Sequence, residues 1–523
     1  MILMFISRKK GFKRRKIELF NYILICFGEG SDYVELKNFI GGKWQAYVGK
    51  QIDVKNPATG ERLATVPLST EQQVDEAVKA AKQAQKKWAL MPAPKRAEYL
   101  YKIAFLLRER KEQLAITLTK EMGKVIEEAR GEVQEAIDMA FYMAGEGRRL
   151  FGETVPSELT NKFAMSVRVP IGVAGLITPW NFPIAIAAWK SFPALICGNA
   201  VVWKPSVETP LMAYHLAQIV EQADVPAGVF NVVFGTGQTV GDALVAHEDV
   251  NVISFTGSNA VGSKVAEKGG SLLKKVSLEL GGKNAVLVMD DADLQLAAEA
   301  IIWSAFGTAG QRCTACSRVI VHKEVREQLT TLLLEKIKRL QIGDGLNENV
   351  SIGPVINKAA LEKINHYVEL GRQGGATLLV GGHILQEAPY DQGFYFEPTI
   401  FTDVTADMVI AQEEIFGPVI SMIEVESLEQ AIEVNNSVKY GLSSSIFSAD
   451  VNKIFIAQQL LDTGIVYVNA GTTGAEIHLP FGGTKGTGNG HRDSGQAALD
   501  VYSEWKSVYV DYSGKLQRAQ IDT

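Results

Sequence analysis

One cysteine and one glutamate could together carry out covalent catalysis. Cys313 lies in the segment GQRCT (310–314), and Glu279 lies earlier in the chain, in LELGGK (278–283). A thiolate is a strong nucleophile, and a carboxylate can act as general base toward a water that later hydrolyses a thioester. The pair therefore predicts a reaction that passes through an acyl-enzyme on Cys313.

The spacing of Cys313 and Cys316 allows two other interpretations. A structural zinc site needs about four ligands, but only Cys26 and Cys197 remain, and no histidine stands at a helpful spacing. We therefore predict no metal. A dithiol switch, in which Cys316 traps an oxidised Cys313, stays open, as does the interpretation of Cys316 as a small buried side chain.

Two glycine-containing turns could bind the phosphates of a nucleotide cofactor. In GTGQTVG (235–241) the spacing is one residue too long for the usual G-x-G-x-x-G pattern, so Gly237 and Gly241 indicate either a phosphate site or a tight turn. In FTGS (255–258), the last residue, Ser258, is expected to cap a helix. A helix N-terminus attracts phosphate through its unpaired N–H groups, and a cap without a ligand is the alternative.

An asparagine and a lysine follow two further predicted strands. Asn181, in TPWNFP (178–183), offers a neutral amide that could stabilise an oxyanion, and the alternative is a turn residue. Lys204, in VWKPS (202–206), lies at the carboxyl end of a strand, where α/β sheets bind ligands. A surface lysine is the alternative interpretation of Lys204.

The elements that must position these residues are predicted to be α/β. Apolar residues recur at spacings of three and four, which predicts helices over 71–88, 93–111 and 112–151. Short apolar runs rich in β-branched residues predict strands of βαβ units, which build parallel sheets in two lobes. These runs are 171–177, 200–203, 230–233, 252–255, 285–288 and 319–321.

Composition narrows the class of protein. At 523 residues the chain exceeds the size at which one core keeps growing, so we expect two or more lobes. The net charge of −6 gives no basic excess, which argues against a nucleic-acid partner. Four scattered cysteines are too few for a disulfide framework, so we expect a cytoplasmic location. Apolar residues make up 46% and charged residues 21%, values ordinary for a globular enzyme, so we expect no membrane partner.

The first 35 residues differ from the rest of the chain. The basic clusters RKK (8–10) and KRRK (13–16) precede an apolar run that is too short to cross a bilayer and lacks a cleavage site. We expect 1–35 to be unstructured or not native, because codons for 28–30 could form a ribosome-binding sequence and Val34 could be a GTG start. The alternative is a basic amphipathic surface anchor.

Seven motifs, in order and spacing, resemble the aldehyde dehydrogenase superfamily over 36–512. They are TPWN (178–181), WKP (203–205), FTGS (255–258), ELGGK (279–283), GQRC (310–313), EIFGP (414–418) and PFGG (480–483). The resemblance implies two Rossmann-like parallel-sheet domains and a small β oligomerisation arm. The implied cofactor-binding domain spans 36–147 and 171–282, the catalytic domain 283–490, and the arm 148–170 and 491–518.

The resemblance also implies a homodimer or a homotetramer. The C-terminal run SVYVDY (507–512) alternates aromatic and β-branched residues, as an edge strand does. An uncovered edge invites pairing, so we expect another subunit to cover this strand.

The resemblance assigns roles to the residues described above. Cys313 attacks the aldehyde carbonyl, and Asn181 with the backbone N–H of Cys313 holds the oxyanion. Glu279 activates water against the thioester, which favours hydrolysis over transfer to coenzyme A. Lys204 joins this catalytic set and, with Glu414, would hold cofactor ribose hydroxyls. The implied cofactor-binding residues are Thr178, Pro179, Trp180, Lys204, Ser206, Gly237, Gly241, Phe255, Thr256, Gly257, Ser258, Leu280, Glu414 and Phe416.

The identity of the cofactor stays open between NAD and NADP. Many relatives that use NAD have a glutamate three residues after the lysine, where its charge would repel a 2′-phosphate. This chain has Val207 at that position, with Glu208 one position late.

The substrate is expected to be a small carboxylated aldehyde. The positions of Phe182, Trp189, Thr314 and Phe481 match those lining the aldehyde tunnel in relatives. The C-terminal segments 474–481 and 508–512 resemble dehydrogenases of 2-oxoglutarate semialdehyde (2,5-dioxopentanoate). Thr314 and His478 are candidates to contact the substrate carboxylate, and a loop residue without a special role is the alternative for His478.

Three other functions stay open. One is broad specificity or another semialdehyde, such as that of succinate or aminoadipate. The second is a thiol acyltransferase or esterase that uses the same cysteine. The third is a non-catalytic binding homologue, which the presence of Cys313, Glu279 and Asn181 together argues against.

Overall fold

The computed structural model describes residues 33–47 and 49–521. The basic clusters and the apolar run of the leader therefore lie outside the described residues. Val34–Glu35, the last residues of that segment, form a short strand that pairs in parallel with 64–65. Within the described ranges, no helix combines the length and apolar character needed to cross a membrane.

Six of the strands follow the short apolar runs of the sequence, with ends at most three residues from those predicted. In chain order the strands are β1 (Val34–Glu35), β2 (Asn38–Ile40), β3 (Lys43–Gln45), β4 (Gln51–Lys55), β5 (Arg62–Pro67), β6 (Glu153–Val155), β7 (Lys162–Pro170), β8 (Val173–Ile177), β9 (Ala200–Lys204), β10 (Phe230–Val232), β11 (Val252–Thr256), β12 (Lys275–Glu279), β13 (Asn284–Val288), β14 (Cys316–His322), β15 (Thr377–Val380), β16 (Ile384–Leu385), β17 (Tyr395–Phe396), β18 (Thr399–Thr402), β19 (Val419–Val425), β20 (Tyr440–Gly441), β21 (Ser443–Phe447), β22 (Ile465–Val468), β23 (Thr484–Lys485) and β24 (Ser503–Asp511). The six that follow the apolar runs are β8 to β11, β13 and β14.

Helices connect most of these strands. In chain order they are α1 (Glu71–Leu90), α2 (Ala93–Glu109), α3 (Lys111–Met122), α4 (Ile126–Glu146), α5 (Ala185–Cys197), α6 (Pro210–Gln222), α7 (Asp242–Ala246), α8 (Asn259–Ser271), α9 (Leu294–Phe306), α10 (Arg326–Ile337), α11 (Lys358–Gln373), α12 (Val409–Gln412), α13 (Leu428–Asn436), α14 (Val451–Leu460) and α15 (Ala498–Tyr502). Short 3-10 turns lie at Gly307–Gly310, Lys323–Val325 and Ala519–Ile521, and a π-helical turn at Gly237–Gly241.

One helix prediction is wrong in a way that matters for the site. The segment 112–151 was predicted as a single helix, but it contains α3 and α4, separated at Gly123. Gly123 has a φ of +93°, a left-handed conformation that ends a helix and that glycine adopts without steric cost. A Cβ there would also approach the rings of Pro57 and Pro354. The break turns Lys124 and α4 toward the interior.

Two seven-stranded sheets form the body of the described protein. The first has the order β12-β11-β8-β9-β10-β2-β3, with β8 to β12 parallel. The second has the order β15-β18-β19-β14-β13-β21-β22, parallel except for β15. Each sheet carries its own apolar core. The α/β class with two parallel-sheet units is confirmed.

A three-stranded antiparallel sheet stands apart from both bodies. Its order is β24-β7-β6, and β24 pairs with β7 from Ser503 opposite Pro170 to Asp511 opposite Lys162. The helix before β24, α15, packs into the core of the first sheet. Smaller sheets join β1, β5 and β4, then β16 with β17, and β20 with β23.

Candidate active site

The residues predicted to do chemistry lie where the strand ends of the first sheet meet the loop that carries Cys313. Thr178, Lys204, Thr256 and Glu279 stand at or just after the carboxyl ends of β8, β9, β11 and β12, which are neighbours in the first sheet. In the second sheet, the loop with Cys313 leads into the amino end of β14. Parallel strands bring such ends to one edge, which explains why residues distant in sequence meet here.

The loop before Cys313 has a strained backbone. Thr308 and Ala309 both have a φ of +53°, and Gly310 follows at +71°. Non-glycine residues avoid this region, and it persists only where the surroundings hold it. Glu128 of α4 provides that hold, because its carboxylate accepts hydrogen bonds from the backbone N–H and the hydroxyl of Thr308 and pairs with Arg312 at 3.0 Å.

Gln311 ties the same loop to its neighbours. Its Nε2 donates to the carbonyl of Thr308 at 3.1 Å, and its Oε1 accepts from the N–H of Ile356 at 2.9 Å. The Nδ2 of Asn181 donates to the carbonyl of Gln311 at 3.0 Å. A side-chain amide carries two N–H groups, so Asn181 keeps a second donor beside Cys313.

Asn181 is itself held by a buried ion pair. The Nζ of Lys124 donates to the carbonyl of Asn181 at 2.8 Å and lies 2.5 Å from Glu132 of α4. Glu132 also accepts from the first N–H groups of α5, those of Ile184 and Ala185. We did not single out Lys124 or Glu132 from the sequence. The signal was present, because glutamates recur every three to four residues along α4.

Glu279 is buried without a hydrogen-bond partner. Its side chain is 4% exposed, and within the described residues neither carboxylate oxygen accepts a hydrogen bond. Burial raises the pKa of Glu279 well above its usual value, and the charge of Asp493 raises it further, while Lys190 and Arg492 oppose both effects. The carboxyl is therefore available for a ligand such as water, and it favours the protonated form.

A second buried ion pair lies beside Glu279. The Nζ of Lys190 donates to Asp493 at 2.7 Å and to the hydroxyl of Ser254 at 2.8 Å. Lys190 is fully buried in α5, an otherwise apolar helix. A single lysine in such a helix was a usable signal that we missed, whereas nothing in the sequence marks Asp493.

Cys313 is half-buried, and its thiol holds its proton strongly. Burial raises the pKa of Cys313 to about 12, with further contributions from the charges of Glu279 and Glu414. Cys313 also contacts β13, since Asn284 donates to its carbonyl at 2.7 Å. In this arrangement thiolate forms only as the proton is removed, so attack and deprotonation must be coupled.

Lys204 is buried and Glu414 partly buried, and both keep polar groups free to bind a ligand. Lys204 is 7% exposed, and burial lowers its pKa to about 8. Its Nζ donates only to the neighbouring carbonyl of Pro205 among the described residues, so two N–H groups remain. Glu414 accepts from the N–H of Gly282, and burial raises its pKa.

Other predicted cofactor residues surround these two. Trp180 and Phe416 meet edge to face at 5.6 Å, and the hydroxyl of Thr178 accepts from the indole of Trp203. Ser258 stands at the N-cap of α8 as expected, but its side chain makes no capping hydrogen bond. The residues at the same strand ends and turns are Pro179, Ser206, Phe255, Thr256, Gly257 and Leu280.

The turn Gly237–Gly241 adopts a π-helical conformation rather than a tight turn. Gly237 is exposed, and a Cβ there would meet no neighbouring atom, whereas Gly241 is buried beside Lys204. The helix that follows, α7, and α8 enclose a groove of about 660 Å³, whose lining includes Asp242, Val261 and Lys264.

The predicted tunnel residues form two groups. The rings of Trp189 and Phe481 meet at 4.8 Å. Phe182 lies under Lys124, whose Nζ is 3.7 Å from the ring centroid, and Arg312 lies on the same ring at 5.9 Å. The carbonyl of Thr314, a buried residue, accepts from the hydroxyl of Thr472. His478 is exposed and pairs with Glu476.

The described part of the chain contains no cluster of His, Cys, Asp and Glu suited to a metal ion. Cys313 and Cys316 are both free thiols. Cys316 is buried, and its thiol donates to the carbonyl of Arg318. The dithiol switch stays a prediction.

Comparison with known proteins agrees with this geometry. The aldehyde dehydrogenase family matches residues 44–508. The chain is 44% identical over 475 residues to the alpha-ketoglutaric semialdehyde dehydrogenase of Bacillus subtilis (strain 168), which covers 90% of this chain and 97% of that relative.

Solved structures give the same result. An NAD-dependent aldehyde dehydrogenase from Sinorhizobium meliloti superposes with a TM-score of 0.89 at 37% identity, covering 92% of this chain and 96% of that one. An NADP-dependent enzyme from E. coli superposes with a TM-score of 0.88 at 36% identity, covering 91% of this chain and 98% of that one. The chain belongs to the aldehyde dehydrogenase family and is an NAD(P)-dependent oxidoreductase that acts on aldehydes.

Proposed function

We propose that this enzyme oxidises 2-oxoglutarate semialdehyde to 2-oxoglutarate through a thioester on Cys313. The observation that carries the mechanism is the convergence of three residues from different elements. Asn181 contacts the loop of Cys313 directly, and the charge of Glu279 acts on the thiol. A nucleophile, an amide donor and an unpartnered carboxyl at one place are what acyl-enzyme chemistry needs.

In the first step, the sulfur of Cys313 bonds to the aldehyde carbon. The thiol proton passes to a water molecule as this bond forms, and the carbonyl oxygen takes up negative charge. The second N–H of Asn181 and the backbone N–H of Cys313 donate to that oxygen. Lys124 fixes Asn181 through its carbonyl, so the amide does not have to reorganise as the charge develops.

The residues present fit a dinucleotide cofactor. Lys204 is buried, and among the described residues its Nζ donates only to the carbonyl of Pro205, so its remaining N–H groups fit a polar ligand such as a ribose hydroxyl. Ser258 and the first N–H groups of α8 would hold phosphate, and Lys204 with Glu414 would hold ribose hydroxyls. When bound, the nicotinamide would supply a hydride acceptor, and loss of hydride from the former aldehyde carbon would leave a thioester on Cys313.

Glu279 acts in the last step. Its carboxylate takes a proton from a water molecule as the water oxygen bonds to the thioester carbon. The carbon–sulfur bond then breaks, which releases the carboxylic acid and restores Cys313. Burial is the main cause that raises the pKa of Glu279; the charge of Asp493 raises this pKa further, and that of Lys190 lowers it.

Two variants separate the roles. Cys313→Ala should abolish turnover, because no covalent intermediate can form, and the mass of the quenched protein should show no acyl adduct. Glu279→Gln should give a burst of about one reduced cofactor per site followed by a stall, with the acyl group found on Cys313. Equal loss of burst and steady state in Glu279→Gln would refute its role in deacylation.

The residue three positions after Lys204, Val207, supports use of both NAD and NADP. Val207 packs against the core of the first sheet, and Glu208 is directed at Asn357, since a hydrogen bond to that residue acts on its pKa. The side chain three residues after Lys204 therefore carries no charge that would repel a 2′-phosphate. Val207→Glu should lower kcat/KM for NADP relative to NAD by about tenfold, whereas the uncharged Val207→Gln should change the ratio less.

The substrate is inferred from similarity and from the charges near Cys313. The relative from Bacillus subtilis is named for alpha-ketoglutaric semialdehyde. Arg312 precedes the nucleophile and keeps N–H groups beyond its contacts with Glu128 and Thr308, which could bind a substrate carboxylate. A panel of semialdehydes with both cofactors should give its highest kcat/KM with 2-oxoglutarate semialdehyde. A clear preference for an uncharged aldehyde would contradict this.

We also propose a cytoplasmic homo-oligomer. The outer edge of β24 has no partner within the described chain, and Trp505, Tyr509 and Tyr512 on or after it are exposed. Such an edge is expected to pair with a second copy. Light scattering should give a mass of two or four chains, and Tyr509→Lys should shift it toward the monomer. The need for a reduced Cys313 supports the cytoplasm.

A further inference from the structure

The two donors of the proposed oxyanion site come from different parts of the fold. Asn181 follows β8 of the first sheet, whereas Cys313 belongs to the loop that leads into β14 of the second sheet. A hydrogen bond of 3.0 Å from the Nδ2 of Asn181 to the carbonyl of Gln311 joins the two parts. One oxygen can accept from both donors only if their separation is held to a fraction of an ångström, so the elements that set this separation affect the rate.

Helix α4 holds the side of the site that carries Cys313. Glu128 and Glu132 stand at i and i+4 on α4, which places them one turn apart on the same side of the helix. Glu128 accepts from the backbone N–H of Thr308 at 2.9 Å and pairs at 3.0 Å with Arg312. Arg312 directly precedes Cys313, so the first of these two carboxylates fixes the loop of the nucleophile.

The second carboxylate, that of Glu132, holds the side that carries Asn181. The Nζ of Lys124 lies 2.5 Å from Glu132 and donates to the carbonyl of Asn181 at 2.8 Å. The same ammonium lies 3.7 Å from the centroid of the Phe182 ring, which is a cation–π contact. Glu132 also accepts from the N–H groups of residues 184 and 185, at 3.0 and 3.3 Å. The pair therefore contacts four residues within a stretch of five.

The pair of Lys124 and Glu132 is buried, with 1% and 2% of the two residues exposed. Lys124 stands in the break between α3 and α4, where a Cβ on Gly345 would come within 2.6 Å of its carbonyl oxygen. The N–H of Ile126 donates to the carbonyl of Gly345 at 2.9 Å, so this backbone is fastened too. A buried ion pair is weak evidence for stability, because apolar residues of similar volume often stabilise a fold as well. The position that the pair imposes on Asn181 explains its presence better.

We propose that Lys124 and Glu132 are positioning residues of the oxyanion site. With Glu128, one turn earlier on α4, they fix the separation between its two donors, the amide of Asn181 and the N–H of Cys313. The role rests on the proposed function, which places an oxyanion between these donors. The separation matters in both chemical steps, because attack on the aldehyde and hydrolysis of the thioester each place negative charge on the same oxygen.

The test removes the pair without leaving a buried charge unpaired. In the double variant Lys124→Met/Glu132→Gln both charges are absent, and the new amide oxygen can still accept from the first N–H groups of α5. The carbonyl of Asn181, however, loses its donor. Glu132→Gln alone keeps the lysine but places an amide N–H₂ opposite it. The matched control is Glu127→Gln, an exposed glutamate on the same helix.

Two reactions of Cys313 separate the oxyanion site from the thiol. With trifluoroacetone, the sulfur bonds to the carbonyl carbon, the thiol proton passes to water and the oxygen becomes negative, so this inhibitor uses the oxyanion donors. With iodoacetamide, the sulfur displaces iodide and no oxyanion forms. In the double variant we expect the inhibition constant of trifluoroacetone to rise about 100-fold, while the rate of alkylation stays close to that of the wild type.

Aldehyde oxidation gives a further readout in the same variants. The burst and the steady-state rate should both fall in the double variant, whereas Glu279→Gln should keep its burst. Glu132→Gln should show the same pattern with a smaller loss, about tenfold. Glu127→Gln should match the wild type in every measurement.

Several results would overturn the role. Wild-type inhibition and wild-type rates in the double variant would show that the pair only stabilises the fold. Equal losses in inhibition and alkylation would mean a general collapse of the site, which also contradicts positioning. If the double variant does not fold, an unchanged inhibition constant in Glu132→Gln decides against the role. If trifluoroacetone leaves no hemithioketal on wild-type Cys313 by mass spectrometry, the proposed function fails and this role with it; an adduct that all variants form equally well refutes this role alone.

Discussion

The loop of Cys313 and the side chain of Glu279 are held in opposite ways. In the loop, Thr308, Gln311 and Arg312 are each fastened by side-chain hydrogen bonds, and the backbone accepts left-handed strain to hold that path. The carboxylate of Glu279 is as deeply buried, yet both of its oxygens lack a hydrogen bond within the described residues.

The difference fits the two halves of the proposed reaction. Attack on an aldehyde needs the sulfur and the donors of Asn181 in fixed positions, since a misplacement of 1 Å can cost about 100-fold in rate. Deacylation instead needs a base that can receive a water molecule after the thioester has formed. A carboxylate already bonded to the protein could not do so. The loop of Cys313 is therefore rigid, whereas the carboxylate of Glu279, in the same site, is free to accept a hydrogen bond from water.

The largest expected effect comes from a substitution that removes the hydrogen bonds holding the loop of Cys313. Glu128→Ala removes the carboxylate that holds Thr308 and leaves Arg312 unpaired in a largely buried position. We expect kcat to fall about 100-fold and the free energy of unfolding to fall by about 3 kcal/mol, measured by steady-state rates and urea denaturation.

The matched control for this change is Glu127→Ala, whose side chain is exposed on the same helix. It should alter both quantities little. If Glu128→Ala kept the wild-type kcat despite its lower stability, the hold on the loop would matter for folding and not for the geometry of attack.

A smaller effect is expected from a substitution beside Glu279. Asp493→Asn removes a negative charge that raises the pKa of Glu279 and leaves Lys190 free to lower it. Since an acid ionises above its pKa, the limb of the pH profile that reports deacylation should move about one unit toward lower pH. The ratio of burst to steady-state rate, followed by stopped flow, measures the change. An unmoved limb would show that Asp493 has only a structural role.

Much of the fold could be predicted because it depends on local pattern. The apolar runs that became β8, β9, β11 and β13 are buried parallel strands, and such strands read as continuous apolar segments. The end of β9 placed Lys204 at the ligand-binding edge, as α/β topology requires. Strand β12, which carries Glu279 to the same edge, was not predicted. Helix α4 was misjudged because a charged, Ala-rich pattern continues across Gly123, where only the backbone conformation reveals the break.

The supporting residues of the site could not be predicted in the same way. Lys190 pairs with Asp493 across more than half of the chain, and Lys124 reaches the carbonyl of Asn181 from the start of another helix. A sequence shows which residues can bear charge, but not which two will share a buried position. The same holds for Cys313. Its motif implies its nucleophilic role, whereas its raised pKa depends on burial and on the carboxylates of Glu279 and Glu414, which the fold brings close.

The smallest expected effect tests how strongly the charge of Glu279 acts on the thiol of Cys313. Because the pKa of Cys313 is raised to about 12, the fraction of thiolate, and with it alkylation by iodoacetamide, should rise about tenfold per unit from pH 7 to 10 without a plateau. Glu279→Gln removes one of the charges that raise this pKa, so alkylation should become several-fold faster at pH values where Glu279 is ionised. Cys316, which is buried, should stay unmodified until the protein unfolds and serves as an internal control. A plateau near neutral pH, or no response to Glu279→Gln, would mean that the thiol is activated within its own loop, independently of the base.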